Sequence, residues 1–228
     1  MLRELAPDVW CLDAMQAVPG AHLPARMTVV RLPDGGLWLH SPVALSDANA
    51  AAIDALGPVR HLVAPNCFHH LNVGPALERW PEATTWLAPG LAAKRPDLRQ
   101  DHTLGDSAPA AWAESLDQVQ VQGAPMVNEV VFFHRPSGTV ILTDLAFNVH
   151  HLDSIFMRGF FRFVGAYGRF IQSRTWPWVF ISDRAAAAQS AHAVLEWPAQ
   201  RVVMAHGDIV EADAAGQLRV ALARMAAG

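Results

Sequence analysis

Residues 59–70 read VRHLVAPNCFHH. Residues 59–64 form a short apolar, β-branched run bounded by proline, the pattern of a buried strand. A polar cluster, Pro65-Asn66-Cys67-Phe68-His69-His70, follows directly. Two further segments repeat this arrangement. TVILTDL at residues 139–145 ends in Thr143-Asp144, and RVVMA at residues 201–205 runs into His206-Gly207-Asp208. Loops at strand ends converge on one edge of an α/β sheet, and ligand sites collect there.

Working outward, residues 26–32 (RMTVVRL), a Pro-Asp-Gly-Gly turn and residues 37–40 (LWLH) read as a hairpin. Residues 46–56 (SDANAAAIDAL) read as a helix with Ser46 as N-cap and Gly57-Pro58 as stop. Residues 73–80 predict a short helix and 83–88 (ATTWLA) another strand, with a polar loop over 95–109. A second hairpin is expected from residues 129–135 (EVVFFHR) and 139–145 around Pro-Ser-Gly. Helices are expected over 154–171, 183–197 and 210–227, with a strand over 201–205 between the last two. Each half thus carries a hairpin and then a strand–helix unit. Such an order fits one α/β domain over residues 1–228, two sheets face to face with helices outside both.

Just over half of the 228 residues are hydrophobic and 17% are charged, which suits a sizeable core and argues against disorder. The net charge of −4 offers nothing to a nucleic-acid backbone. No apolar run reaches the roughly 18–20 residues of a membrane-spanning helix. MLRELAPDVWCLD at residues 1–13 does not read as a secretory leader. Two cysteines, Cys11 and Cys67, make no disulfide framework, so a cytoplasmic protein with free thiols is the expectation.

Imidazole nitrogen and carboxylate oxygen are suitable ligands for zinc, iron or manganese. His69, His70, Asp144 and His206 are therefore the candidate ligands of one divalent transition metal, with a position left for water that the ion acidifies. Asp144 and His70 are the candidate catalytic residues. Each also has a plainer reading. Neighbouring histidines on a strand point to opposite faces, Asp144 suits a turn, and His206 suits a hydrogen-bonded core imidazole. His150-His151 read as substitute ligands or as a solvated pair. Cys67 reads as a buried thiol or as a nucleophile beside His69. Residues 155–171 (IFMRGFFRFVGAYGRFI) place Arg158, Arg162 and Arg169 on one helical face. That segment reads as a buried helix with arginines reaching solvent, as a pocket wall or a homodimer contact, and least of all as a peripheral membrane contact.

The order hairpin, strand, histidine loop, hairpin ending in Asp, strand ending in His resembles the metallo-β-lactamase fold along most of the chain. Residues 142–147 (LTDLAF) resemble its metal-binding Asp segment, and residues 204–207 (MAHG) its last histidine motif. Residues 65–70 occupy the place of its HxHxDH signature, with Pro65 and Cys67 for the first two histidines and His69 for the aspartate. GAPMVNE at residues 123–129 lacks the expected Gly-His, and His40-Ser41-Pro42 replaces a usual aspartate. The APN-x-x-HH form, residues 88–91 (APGL) and residues 129–147 are most similar to the DUF4336 proteins. The resemblance implies an αββα four-layer sandwich with one of two metal sites lost. It implies a mononuclear metal-dependent hydrolase for a small, partly apolar ester, thioester or amide. The rival expectations are a non-catalytic member that binds a small molecule or a partner protein, and a metal-independent Cys67–His69 enzyme.

Overall fold

A computed structural model describes residues 1–18 and 21–228. The chain opens with β1 (Arg3–Ala6), then β2 (Val9–Val18) and β3 (Ala21–Arg31), a long antiparallel ribbon. β4 (Leu37–His40) completes the first expected hairpin. Next come α1 (Asp47–Asp54), β5 (Val59–Ala64), α2 (Val73–Arg79), β6 (Thr84–Leu87), α3 (Leu91–Lys94) and β7 (His102–Thr103). As the sequence predicts, the Ser46 hydroxyl caps α1, accepting from the Asn49 N–H at 3.3 Å. These seven strands form one sheet in sequence order, antiparallel through β4 and parallel from β4 to β7.

β8 (Leu116–Gln120), β9 (Val130–His134) and β10 (Thr139–Ile141) start the second sheet. It is joined, after α4 (Ile155–Phe163) and α5 (Arg184–Leu195), by β11 (Arg201–Val203), and α6 (Ala214–Ala226) follows. The strand order is β11-β10-β9-β8, with β11 parallel to β10.

Strand alternation sorts the side chains into layers. On β9, Val130 and Phe132 face the first sheet, where they meet Trp38, Val63, Trp86 and Trp112 in the central core. Val131 and Phe133 face the other way, against α5 and α6 through Ala191, Val194, Leu218 and Leu222. On β4, Trp38 points inward while Leu37 and Leu39 meet Ile53 of α1 and Ala76 of α2. The result is the expected αββα sandwich. Among the described residues no helix is long and apolar enough to cross a membrane.

Several expected elements are shorter than the sequence predicts, three of them for a visible reason. The strand over 139–145 stops at Ile141, because the buried carboxylate of Glu129 takes the N–H groups of Thr143 and Asp144 at 2.8 and 2.9 Å. The helix over 154–171 ends at Phe163. Gly165 turns left-handed at φ 73°, and residues beyond it bridge back, Tyr167 to Val149 and Ile171 to Phe147. Arg169 therefore lies off α4, and only Arg158 and Arg162 share its surface. The last helix begins at Ala214 rather than near Val210, because Val210 pairs with Val202 of β11. β1, β2, β8 and the short α3 have no counterpart among the expected elements, and the expected loop over 95–109 holds β7, which pairs with β6 through Trp86 and Leu87.

Candidate metal centre

The loop after β5 is organised by Asn66, which is fully buried. Its Oδ1 accepts from the N–H groups of Phe68 and His69 at 2.8 and 2.7 Å, bending the chain so that His69 turns inward. Its Nδ2 donates across the sandwich to Thr143 Oγ1 at 2.9 Å and to Asp144 Oδ2 at 2.8 Å. From below, Glu129 holds the backbone of the same Asp144 turn, and the Trp176 indole N–H donates to the Asp144 carbonyl at 2.6 Å. His206 leaves the end of β11, followed by Gly207 at φ 101°. A Cβ at Gly207 would sit 2.2 Å from the Asn148 carbonyl oxygen, so only glycine fits.

Three ligand atoms converge. His69 Nε2 lies 3.1 Å from His206 Nε2 and 3.3 Å from Asp144 Oδ2, and His206 Nε2 lies 3.4 Å from Asp144 Oδ1. Two of them have their far side fixed. His206 Nδ1 donates to the Pro24 carbonyl at 2.6 Å, which leaves the Nε2 lone pair of the neutral ring facing the cluster. His69 Nδ1 lies 2.7 Å from the Ser41 hydroxyl. Ligand histidines anchored through their second nitrogen are the usual supporting arrangement of a metal site.

The spacing fits a metal ion. Ligand distances near 2.0–2.1 Å in tetrahedral geometry give ligand–ligand edges of roughly 3.3 Å, and the three edges here are 3.1, 3.3 and 3.4 Å. Among the described residues this trio is the one group of three or more His, Cys, Asp or Glu side chains placed to hold an ion. Without an ion, burial alone would push the Asp144 carboxyl up, but the charge a protonated His69 brings and hydrogen bonds donated by the His206 and His69 rings outweigh it and hold the group well below the usual carboxylate range. Glu129 is pushed up to about 7, first by burial and then by the charge of Asp144.

Of the four candidate ligands, the fold brings together His69, Asp144 and His206. His70 stands outside the trio: its Nδ1 lies 2.8 Å from Arg95 Nη1, and its side chain lines the cavity beside the trio. Burial, with Lys94 and Arg95 nearby, lowers it to about 4, so it is a neutral acceptor for Arg95. The Cys67 thiol is raised by burial and donates to the Pro89 carbonyl among Ala64, Leu87 and Leu91. It is a packing residue, and both His69 ring nitrogens are engaged elsewhere, with Ser41 and with His206, which speaks against the Cys67–His69 reading. His150 Nε2 lies 2.8 Å from Asn148 Oδ1, and His150 and His151 line a separate cavity beyond His206. Sequence reasoning passed over Asn66, Glu129 and Trp176, the residues that orient Asp144. The signal for Glu129 was an acid opening the apolar run EVVFFHR.

Two comparisons with known proteins place the fold and the family. The whole architecture matches solved metallo-β-lactamases. One from Pontibacter korlensis is 14% identical with a TM-score of 0.66, and the match covers 98% of each chain. The FIM-1 enzyme of Pseudomonas aeruginosa, solved in its mono-zinc form, is 15% identical with a TM-score of 0.66, covering 100% of this chain and 96% of its own. A third, from Hirschia baltica, is 14% identical with a TM-score of 0.62, covering 96% of each chain. At such identities the likeness is one of fold, and the fold is that of the metallo-β-lactamases. Within it, residues 7–155 match the model of the family described as Domain of unknown function (DUF4336), and the chain belongs to that family. No curated protein matches the chain.

Proposed function

We propose that the protein is a mononuclear metal-dependent hydrolase that acts on a small ester, thioester or amide. The observation that carries this reading is the trio of His69 Nε2, His206 Nε2 and Asp144, spaced at 3.1–3.4 Å with both rings anchored from behind. His69, Asp144 and His206 would hold one zinc, iron or manganese ion, which supplies Lewis acidity toward a carbonyl and acidifies water.

The chain's own residues prepare that chemistry. Ser41 and the Pro24 carbonyl orient the two imidazoles before any ligand arrives. Asn66 and Glu129 fix the Asp144 carboxylate and its turn, so little reorganisation remains at the moment of reaction. Arg26 is buried and donates to the carbonyls of Met204 and Gly207 at 3.1 and 2.7 Å, pinning the segment that carries His206. Beside the trio a cavity of about 240 Å³ carries the polar side chains of Gln16, Ser41 and Asn72, which suits a substrate's polar group. Hydrolysis there adds the oxygen of water to the acyl carbon. The bond to the leaving oxygen, sulfur or nitrogen breaks, and that atom takes up a proton.

The test is metal analysis of the full chain after purification and after dialysis against zinc, iron or manganese, followed by ester and thioester assays. About one ion per chain, abolished by Asp144→Ala, is expected. A chain that takes up no ion on reconstitution, with an unchanged circular dichroism spectrum, sinks the proposal.

A further inference from the structure

A second cavity, about 230 Å³, meets the first at Asp144, His206, Leu23 and Phe68. Its wall is built from α4 and the turns on either side of it: Phe147, Met157, Phe160, Phe161, Trp176 and Phe180. The polar groups of this wall are already partnered. The Ser173 and Thr175 hydroxyls bond each other at 2.5 Å, and the Trp176 indole N–H is committed to the Asp144 carbonyl. Asp144 and His206 are thus the polar end of an otherwise apolar chamber. A cavity of roughly 150 Å³ with such walls is enough for benzene, so this one takes a larger apolar group.

We infer that this chamber binds the hydrocarbon part of the substrate, so that the hydrolase acts on an acyl ester or thioester with a medium-length apolar chain. The inference rests on the proposed hydrolase reading for the chemistry, and on the chamber alone for the chain. The arrangement is directional. The acyl chain lies against α4, the acyl carbon stands at the trio, and the polar leaving part extends toward Gln16, Ser41 and Asn72. Phe147 joins the two halves, stacked on the His206 ring at 5.8 Å and edge-on to Phe161 at 5.7 Å. α4 thereby serves the site with its inner face. Its outer face, with Phe156 74% and Phe163 81% exposed, is not part of the chamber and provides the control.

The experiment is isothermal titration of the full chain, without added metal, with straight-chain primary alcohols from butanol to decanol. These probes are neutral, so Asp144 does not repel them. Each methylene buried is worth about fourfold in affinity, so affinity climbs by that factor per carbon and levels off where the chamber is full. Thr175→Trp, which fills the chamber from its rim, should bring octanol down to the affinity of butanol. Phe160→Ala, which widens it at a half-exposed position, should move the plateau to longer chains and guards against a Thr175→Trp variant that fails to fold. Phe163→Ser should change nothing. A flat series overturns the inference, and so does a series abolished by Phe163→Ser and indifferent to Phe160→Ala. Chain-length dependence in a protein that takes up no metal leaves the chamber standing and removes the hydrolase. Metal uptake with a flat series does the reverse.

Discussion

Side by side in the chain, His69 and His70 are separated by function in space. The Asn66 turn sends His69 to the trio and His70 to Arg95. His69→Ala should lose the metal ion, while His70→Ala should keep it at unchanged stoichiometry; metal content of the two purified variants decides this. The sequence left the choice open because adjacent side chains in a loop have no fixed relation, and only the turn settles it. His40 is a second residue whose environment governs its behaviour. It is 1% exposed, and burial, followed by the nearby His69, lowers it from 6.5 to about 3. The unfolded chain takes up a proton at this residue as pH falls below 6.5, and the folded chain does so only near pH 3. Stability is therefore complete above pH 6.5 and falls through this window by up to about 1.4 kcal/mol per pH unit from this one group. His40→Phe, which keeps an aromatic ring beside Trp38, should flatten the difference in urea stability between neutral and mildly acid solution.

Elements with strong local signals, above all β5, α1 and the β3–β4 hairpin, form at or near the positions their residues predict. The helix expected over 154–171 ends at Phe163, ahead of Gly165 and Gly168. The apolar content of the Phe-rich stretch masked a stop signal that φ values of 73° and 79° make plain. The missed strand β2 mixes buried Leu12 with exposed Asp13 and Met15, and its strand character comes from pairing with β3 rather than from its own composition. The candidate site was legible at three of its ligand positions, because His and Asp after strands are conspicuous. Its supports were not, since Asn66, Glu129 and Pro24 become partners only through contacts between distant segments. At this scale the sharpest expectation concerns the turn after β11. Gly207→Ala places a methyl against the Asn148 carbonyl at φ 101°. It should cost more than about 1 kcal/mol of stability and weaken metal binding in the same variant, as measured by thermal unfolding and zinc titration.

The candidate ligands come from both sheets: His69 from the end of β5 in the first, Asp144 and His206 from beyond β10 and β11 in the second. An ion held by all three would tie the sheets together at their shared edge. Free zinc at about 100 times its Kd should then raise the unfolding free energy of the whole molecule by about 2.7 kcal/mol, reversed by chelation and absent in Asp144→Ala. Calorimetry with and without zinc tests this. The deep core needs no such tie. Phe132 and Trp38 are fully buried between the sheets with ring centroids 4.9 Å apart, and apolar packing of that kind holds the sandwich by itself. The anchoring of His206 by Pro24 and Arg26 has a further consequence, in time rather than space. Those two residues are made 182 and 180 positions before the histidine. An elongating chain holds the orienting carbonyl and guanidinium long before it holds the ring they act on. Loading of an ion at this site would therefore wait for the histidine, and a chain released before residue 206 by a stalled ribosome carries the preparation for the site without the site.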